Sequence, residues 1–409
     1  MNCRFCDAAL TCEFLDLGTA PPSNAFLSAD DLVRPEQWFP LKLYACSACH
    51  LVQVDEVQAH DQLFASDYVY FSSYSRSWLD HAERYVALVV DRLGLDESSL
   101  VVELASNDGY LLQYVAARGI PCLGIEPTEG TASVARKRGI ETLVRFFGRG
   151  FADELASERG RADLIVGNNV LAHVPDINDF VAGIARLLSE QGTATLEFPH
   201  LLELVANRQF DTVYHEHFSY LSFHTVQRIF ANHGLKVWDV EALPTHGGSL
   251  RVWACREGAT HAPTPAVEKM LAREAAAGMM DLGWYQDFQR VAECVKDEFL
   301  SFLLKQKRLG KRVAAYGAAA KGNTLINFAG IRSDLISFVV DASPHKQGRF
   351  LPGSRIPVVD EAMLERARPD FVVILPWNLR DEISRQLDYV REWQGNLVVA
   401  VPRIEILGS

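Results

Sequence analysis

The densest group of titratable side chains in the sequence is the segment Tyr214-His215-Glu216-His217. Two histidines on either side of an acid could suggest a metal site, but no third ligand lies nearby in the sequence. Histidine titrates near neutral pH and can accept a proton from a substrate. The segment therefore predicts a general-base histidine, with Glu216 or Tyr214 orienting the substrate or steadying developing charge. A polar loop without a catalytic role is the alternative.

Two C-x-x-C pairs near the N-terminus indicate a metal site. Each pair offers two thiolates on one side, and two pairs complete the tetrahedral coordination of zinc. Because sulfur fills all four positions, the predicted zinc is structural and leaves no place for a catalytic water. The gap between the pairs is longer than in usual zinc ribbons, so two unrelated pairs of reduced cysteines are the alternative. The predicted ligands are Cys3, Cys6, Cys46 and Cys49.

A short turn with polar side chains predicts a cofactor site. An apolar run near 100–104 breaks into Ala105-Ser106-Asn107-Asp108-Gly109 and resumes at helical spacing, which indicates a strand, a turn and a helix start. A dinucleotide site would carry G-x-G-x-x-G here. Polar side chains in place of the first glycines suit the zwitterionic methionine of S-adenosylmethionine (SAM) better than a pyrophosphate. The alternative is any strand–helix–strand unit with a polar turn. The predicted cofactor contacts are Glu103, Ser106, Asn107, Asp108 and Gly109.

The elements that must position these residues follow a strand–helix alternation. Apolar runs near 100–104, 121–125, 140–144, 163–166 and 193–198 alternate with helical patterns, which predicts a doubly wound parallel sheet. Glu126 ends the second strand, where an acid can accept hydrogen bonds from two ribose hydroxyls. Phe147, after the third strand, is expected either to lie against an adenine ring or to belong to the core. Asn168, Asn169 and His173 follow the fourth strand and are predicted to line the cleft, although a lone histidine is usually structural.

Two further stretches carry groups that suit a substrate. Tyr68 belongs to an aromatic and serine-rich stretch ahead of a predicted helix over 77–93, and this stretch is either a lid over the cofactor or part of the core. Beyond a helical region at 265–307, a second α/β pattern has strands near 313–316, 336–340, 371–375 and 397–401. Its small-residue turn lacks the P-loop pattern. Lys321 and Asn323 at the following helix start suit a diphosphate.

Composition limits the function classes. The chain has 409 residues, 48% of them hydrophobic, and a formal net charge of −12, so it is globular and a nucleic-acid partner is not expected. No apolar run reaches membrane-spanning length and no signal peptide is evident, so no membrane partner is expected. Eight cysteines without such a signal favour a cytoplasmic location. The predicted domains are 1–66, 67–255 and 256–409.

The motifs together resemble a known family. Four paired cysteines, A-S-N-D-G, N-N-V-L-A-H, Y-H-E-H-F-S-Y and G-A-A-A-K-G-N-T occur in this order. In this combination the sequence resembles the SAM-dependent sugar C-methyltransferases of deoxysugar biosynthesis, over essentially its full length. The resemblance implies a small N-terminal zinc-binding module, a class I SAM-methyltransferase doubly wound sheet and a C-terminal Rossmann-like domain. The substrate would be a nucleotide-linked 4-keto-6-deoxyhexose between the central domain and its neighbours.

The resemblance also assigns roles to single residues. The four paired cysteines match zinc ligands, and Glu126 matches the ribose-binding acid. His217 matches the proposed general base, and Arg145 stands where many methyltransferases carry an acid near the adenine. The positions that match the active-site cleft beside the hexose are Tyr68, His173, Tyr214 and Glu216.

The implied chemistry is carbon methylation through an enolate. A ketone acidifies the hydrogens on its neighbouring carbons, so a base such as His217 can remove one and a donor such as Tyr214 can stabilise the oxyanion. The carbon then attacks the SAM methyl group, with C3 favoured over C5. An O- or N-methyltransferase of a nucleotide sugar is the first alternative. An NAD-dependent oxidoreductase is the second, and the missing G-x-G-x-x-G at both turns counts against it. Oligomeric state is left open.

Overall fold

A computed structural model of the protein describes residues 1–55 and 71–407. Tyr68, which the sequence places in the cleft, lies outside these residues. Within the described part, no helix is both long and apolar enough to cross a membrane.

The described strands, in chain order, are β1 (Cys12–Ala20), β2 (Phe39–Ala45), β3 (Val52–Val54), β4 (Val101–Leu104), β5 (Cys122–Ile125), β6 (Thr142–Leu143), β7 (Ala162–Asn168), β8 (Leu188–Pro199), β9 (Ser219–Tyr220), β10 (Leu235–Leu243), β11 (Ser249–Arg256), β12 (Val313–Tyr316), β13 (Val339–Val340), β14 (Val358–Val359), β15 (Phe371–Ile374), β16 (Asn396–Val399) and β17 (Glu405–Leu407). The described α-helices are α1 (Arg76–Leu93), α2 (Leu112–Ala116), α3 (Glu129–Lys137), α4 (Arg149–Arg159), α5 (Ile177–Leu187), α6 (Leu201–Ala206), α7 (Phe223–Asn232), α8 (Pro265–Ala276), α9 (Phe288–Arg308), α10 (Ala320–Phe328), α11 (Ala362–Ala367) and α12 (Arg380–Gln386).

The central sheet carries the predicted cofactor turn. Among the described residues its strand order is β10-β11-β8-β7-β4-β5-β6. The five strands from β8 to β6 are parallel, which confirms the parallel sheet predicted between residues 101 and 197. β11 lies antiparallel to β8, and β10 lies antiparallel to β11. The two added strands form a hairpin.

Residues at both ends of helix α1 explain why this segment folds as the sequence predicts. Ser75 lies at its N-cap, and the side-chain oxygen accepts a hydrogen bond from the Trp78 backbone N–H at 3.3 Å. Gly94 ends the helix in the left-handed conformation, with φ of +63°. The helix buries Ala82, Tyr85 and Val86 against the central sheet region, so its start is fixed next to the cofactor turn.

A small antiparallel sheet joins the N-terminal module to the central part. In the described chain its order is β1-β2-β3-β9, so its last strand comes from far along the sequence. β9 begins two residues after His217 and pairs with β3 through Val52 and Tyr220. The position of the candidate base is therefore fixed by a strand of the N-terminal module.

The C-terminal part contains the second α/β sheet. The described strands have the order β14-β13-β12-β15-β16-β17, parallel except for β17. One hydrophobic cluster includes Phe14 of the N-terminal module, Phe210 of the central part and Leu325 of α10. Phe14 stacks on Phe288 of α9 with 5.1 Å between ring centroids. This shared core holds the N-terminal module and the C-terminal sheet against the central part.

Candidate functional site

The four paired cysteines come together in the structure. Their sulfur atoms all lie within 4.8 Å of one another, and the Cys3–Cys49 and Cys6–Cys46 pairs are each 3.5 Å apart. A tetrahedral zinc ion with bonds of about 2.3 Å requires sulfur separations of about 3.8 Å, so the cluster has the size of a zinc site. Gln53 Nε2 donates to Cys3 Sγ at 3.2 Å. This donor stabilises a thiolate, which is the form that binds zinc.

The cofactor turn between β4 and α2 has the conformation of a ligand-binding loop. Ala105, Asn107 and Gly109 all have positive φ, at +54°, +50° and +76°. A Cβ at Gly109 would lie only 3.2 Å from the Ala135 side chain, so glycine allows α3 to approach the turn. Ser106 Oγ is buried and makes no hydrogen bond to the described residues. It is a polar atom available to a ligand.

Asn107 and Asp108 make contacts that the sequence did not indicate. The Asn107 side-chain oxygen accepts from the Ser72 backbone N–H at 3.0 Å. Asp108 Oδ2 accepts from the Ser73 hydroxyl and lies 3.4 Å from the Arg138 guanidinium. The short 3-10 helix Ser72–Tyr74 is thereby fixed on the cofactor turn. These two side chains hold the segment before α1 in place over the turn.

Two buried acids lie at the ends of neighbouring strands. Glu126 accepts hydrogen bonds from the backbone N–H groups of Asn107 and Thr128, each at 2.9 Å. Burial raises its pKa above the usual carboxyl value. Glu103 is almost fully buried, and burial raises its pKa strongly. Glu126 is therefore pre-positioned at the turn, while Glu103 belongs to β4, the strand that leads into the turn.

Asn168 and Asn169, at the end of β7, contact residues from two other segments of the chain. Asn168 Nδ2 donates to the Tyr110 hydroxyl at 3.3 Å, and Asn169 Nδ2 donates to His246 Nε2 at 3.1 Å. The side-chain oxygens of both asparagines are buried and make no hydrogen bond within the described chain. Such oxygens suit a donor on a ligand, for example an ammonium group.

His217 is held in one tautomer. Its Nδ1 lies 2.9 Å from the Thr212 carbonyl oxygen, which can only accept, so Nδ1 carries the proton. Nε2 therefore has a lone pair and accepts from the Tyr214 hydroxyl at 2.8 Å. Burial lowers the pKa of His217 well below its usual value, which keeps the ring neutral. A neutral imidazole with a directed lone pair is the form that a general base requires.

His173 and Glu216 lie next to this pair. The His173 and His217 ring centroids are 4.5 Å apart, and His173 Nδ1 donates to the Glu216 carbonyl oxygen at 2.8 Å. Burial lowers the pKa of His173 to about 4. Glu216 is buried, its pKa is raised by burial, and one oxygen accepts from Asn24 at 3.1 Å. His215 instead contacts the Pro40 carbonyl oxygen at 3.2 Å, so the two histidines of the H-x-H segment have separate environments.

The C-terminal part contributes Lys321 to the same region. Lys321 Nζ donates to Asn378 Oδ1 at 2.8 Å and lies 4.5 Å from the Trp377 ring centroid. The Trp377 indole N–H in turn donates to Asp211 at 2.7 Å. Burial lowers the pKa of Lys321 to about 8 and raises that of Asp211 to about 6. Sequence reasoning missed Trp377 and Asp211, because their contact joins residues far apart in the chain.

The turn between β12 and α10 lies next to Asn323, in the first turn of α10, and to a buried acid after β13. Both polar atoms of the Asn323 side chain are buried and lack a hydrogen bond in the described part. Asp341, directly after β13, accepts from the backbone N–H groups of Ala318 and Ser343 at 2.8 and 2.9 Å. Lys346 Nζ lies 3.5 Å from this carboxylate. The turn therefore resembles the cofactor turn in its backbone contacts.

Phe147 and Arg145 have contacts with the protein itself. The Phe147 ring lies edge to face with Phe180, with 5.5 Å between centroids, and joins the core cluster of the central sheet. This contact fits the second of the two alternatives for Phe147. Arg145 is exposed and pairs with Glu154 at 3.0 Å.

Three family models match the chain in succession. Residues 3–64 match the model described as "Putative zinc binding domain", and residues 78–240 match "Methyltransferase domain". Residues 244–402 match "C-methyltransferase C-terminal domain". These matches follow the same order as the cysteine cluster, the central sheet and the C-terminal sheet.

Individual relatives extend this comparison. The ubiquinone biosynthesis O-methyltransferase of Bordetella avium is 27% identical over 134 residues, which are 30% of this chain and 56% of that protein. Magnesium protoporphyrin IX methyltransferase (ChlM) from Synechocystis PCC 6803, solved with bound SAH, is 18% identical with a TM-score of 0.34, covering 44% of this chain and 82% of that chain. The C-methyltransferase NovU of Streptomyces niveus is 35% identical over 408 residues, which are 100% of this chain and 97% of NovU. With the cysteine cluster, the cofactor turn and this full-length similarity, the chain belongs to the family of zinc-binding, SAM-dependent C-methyltransferases.

Proposed function

We propose that this C-methyltransferase acts on a nucleotide-linked 4-keto-6-deoxyhexose and methylates a carbon next to the ketone, C3 rather than C5. The observation that carries the proposal is the His217–Tyr214 pair, a neutral base and a hydroxyl 2.8 Å apart. Carbon methylation needs both groups, because one must remove a proton from carbon and the other must stabilise the oxygen that gains charge.

The base and the hydroxyl act in one step. His217 Nε2 accepts the proton from the substrate carbon, and the electron pair of that C–H bond moves to give an enolate. When the substrate binds, Tyr214 exchanges its hydrogen bond with His217 for one to the ketone oxygen. His173 and Glu216 lie beside this pair, which supports assigning them to the contact with the hexose.

SAM fits the cofactor turn by the chemistry of the groups present. Glu126 is placed for ribose hydroxyls, and Ser106 Oγ and the side-chain oxygens of Asn168 and Asn169 offer acceptors for an ammonium group. Bound SAM supplies an electrophilic methyl group. Asn107 and Asp108 support the turn by fixing the segment Ser72–Tyr74.

The nucleotide end of the substrate is assigned to the C-terminal turn. Lys321 carries a positive charge at the start of α10, next to the backbone N–H groups of that helix end, and both favour a diphosphate. Asn323 adds a buried amide without a partner among the described residues. We also retain the domain limits 1–66, 67–255 and 256–409, and a cytoplasmic location that keeps the zinc-binding thiols reduced.

The test uses the purified protein in D2O with dTDP-4-keto-6-deoxyglucose, with and without SAM, followed by mass spectrometry and proton NMR. We expect deuterium at C3 without SAM and one methyl group on C3 with SAM. The GDP- and CDP-linked sugars identify the preferred nucleotide in the same assay. Methylation on oxygen or nitrogen, without exchange at any carbon, would overturn the proposal in favour of O- or N-transfer.

A further inference from the structure

The turn between β10 and β11 holds a histidine in an unusual conformation. His246 has φ of +53°, in the left-handed region, and Gly247 and Gly248 follow with φ of +87° and +121°. Glycine or asparagine normally occupies such a position, because a larger side chain strains the backbone there. Strained residues of this kind persist where the surrounding structure fixes them, often at functional sites.

Three contacts fix the turn. The Thr245 hydroxyl donates to the buried Glu197 carboxylate at 2.7 Å, and the Ser249 hydroxyl donates to the Thr245 carbonyl oxygen at 3.0 Å. Gln209 Nε2 donates to the Gly247 carbonyl oxygen at 2.7 Å. The strained backbone is therefore clamped on both sides of His246.

The contacts of the His246 ring define its tautomer. Asn169 Nδ2 is a donor, so His246 Nε2 at 3.1 Å accepts and the proton is on Nδ1. Nδ1 makes no hydrogen bond to the described residues, and residue His246 is partly exposed. Burial lowers the pKa of His246 to about 4, so the ring is neutral at physiological pH. It presents one N–H donor without using it inside the protein.

The ring lies between the cofactor turn and the candidate base. Trp78 contacts His246 edge to face at 5.2 Å and stacks on Tyr110, next to the cofactor turn, at 5.9 Å. On the other side, a Cβ at Gly247 would lie only 2.5 Å from the Trp377 ring, and Trp377 donates to Asp211, six residues before His217. The proposed ketone carbon must also lie between the SAM methyl group and the base, so the turn that carries His246 borders the space that the substrate would occupy.

We propose that His246 is a further catalytic residue, whose neutral Nδ1–H donates a hydrogen bond to the substrate ketone oxygen as it becomes an enolate. This inference rests on the proposed function. His217 takes the proton from carbon and the electron pair moves to oxygen, while His246 keeps its own proton. Tyr214 and His246 then form a pair of donors to the oxyanion, in the manner of an oxyanion hole.

The first test is substitution with chemical rescue. His246→Gly and His246→Asn both tolerate the left-handed backbone and remove the ring, so folding is retained. We expect each to lower kcat and the exchange rate in D2O about 100-fold, with SAM affinity within about 3-fold of wild type. Added imidazole should restore part of the activity of His246→Gly. His261→Asn, at a histidine that stacks on Trp238 away from the cleft, should keep wild-type activity.

The second test reads the tautomer directly. In protein labelled with nitrogen-15 histidine, the His246 signals, identified by their loss in His246→Asn, should show a neutral ring protonated at Nδ1 at neutral pH. A ring protonated at Nε2, an imidazolium, or kcat within about 3-fold of wild type in both variants would overturn the inference. Absence of exchange in the wild-type protein with every nucleotide sugar would instead overturn the proposed function.

Discussion

The turn after β4 and the turn after β12 share a pattern of backbone hydrogen bonds to an acid but carry different side chains. In both, an acid at the end of the next strand accepts N–H groups from the turn and from the residue two positions after the acid. Glu126 does so with Asn107 and Thr128, at 2.9 Å each. Asp341 does so with Ala318 and Ser343, at 2.8 and 2.9 Å.

The side chains around the two acids differ in kind. The first turn adds uncharged and acidic polar groups, among them Ser106 and Asp108, and the segment Ser72–Tyr74 covers it. The second turn is built from glycine and alanine and is followed by Lys321, with Lys346 beside the acid. Side-chain acceptors suit the ammonium group of a zwitterion, whereas backbone N–H groups and lysine ammonium groups suit a polyanion. This difference supports the proposal that the first turn binds SAM and the second turn binds the diphosphate of the substrate.

We expect the largest loss of activity when the candidate base is replaced. His217→Asn should lower both exchange and methyl transfer by about 10³-fold, because no other neutral imidazole in the described cleft has its lone pair aimed at the Tyr214 hydroxyl. The dissociation constants of SAM and of the nucleotide sugar, measured by calorimetry, should change by less than about 3-fold. Loss of binding of either ligand would show that His217 supports ligand binding and does not act as the base. His261→Asn is the matched control.

A smaller effect is expected at the first turn. Glu126→Gln should raise the dissociation constant of SAM by about 10- to 100-fold, since hydrogen bonds to a charged group are worth about 1.5–3 kcal/mol. The KM of the nucleotide sugar should stay near its wild-type value. Asp341→Asn is the matched variant at the second turn and should give the opposite pattern. Equal effects of both variants on both ligands would contradict the assignment of one ligand to each turn.

The smallest effect concerns the charge of Lys321. Its pKa is lowered to about 8, so the ammonium is charged below that pH and loses its proton above it. The KM of the nucleotide sugar should therefore rise by up to about 10-fold as the pH increases through 8, while SAM affinity stays constant. Lys321→Arg should remove this dependence, because arginine stays protonated, and Lys321→Met should show the high KM at every pH. A wild-type KM that is flat across this range would contradict the role of Lys321.

The features that could be predicted from the sequence are those that depend on short-range patterns of residues. The two C-x-x-C pairs, the A-S-N-D-G turn and the parallel strands from 101 to 197 are each contained in one stretch, where residue type and period determine the structure. The four cysteines also form the cluster that was predicted. The roles of the single catalytic and substrate-binding residues stay predictions.

The missed features depend on contacts between distant segments. The environment of His246 could not be read from the sequence, since Asn169 contacts its ring and its positive φ appears only in the folded backbone. Trp377 and Asp211 form their hydrogen bond between the C-terminal part and the central part of the molecule. β10 was missed because its apolar residues do not alternate cleanly with polar ones, and its pairing with β11 decides its structure.

The pairing of β9 with β3 has a consequence for protein engineering. Exchanging the N-terminal segment between relatives at a boundary near residue 66 would divide one sheet between two parents, because β9 completes the sheet of the N-terminal module. Arg4 also links the N-terminal module to the central part, because its guanidinium donates to the Val54 carbonyl oxygen at 2.8 Å and to the Pro175 carbonyl oxygen at 2.9 Å. A working chimera therefore needs the segment around His217 and the zinc-binding module from the same parent.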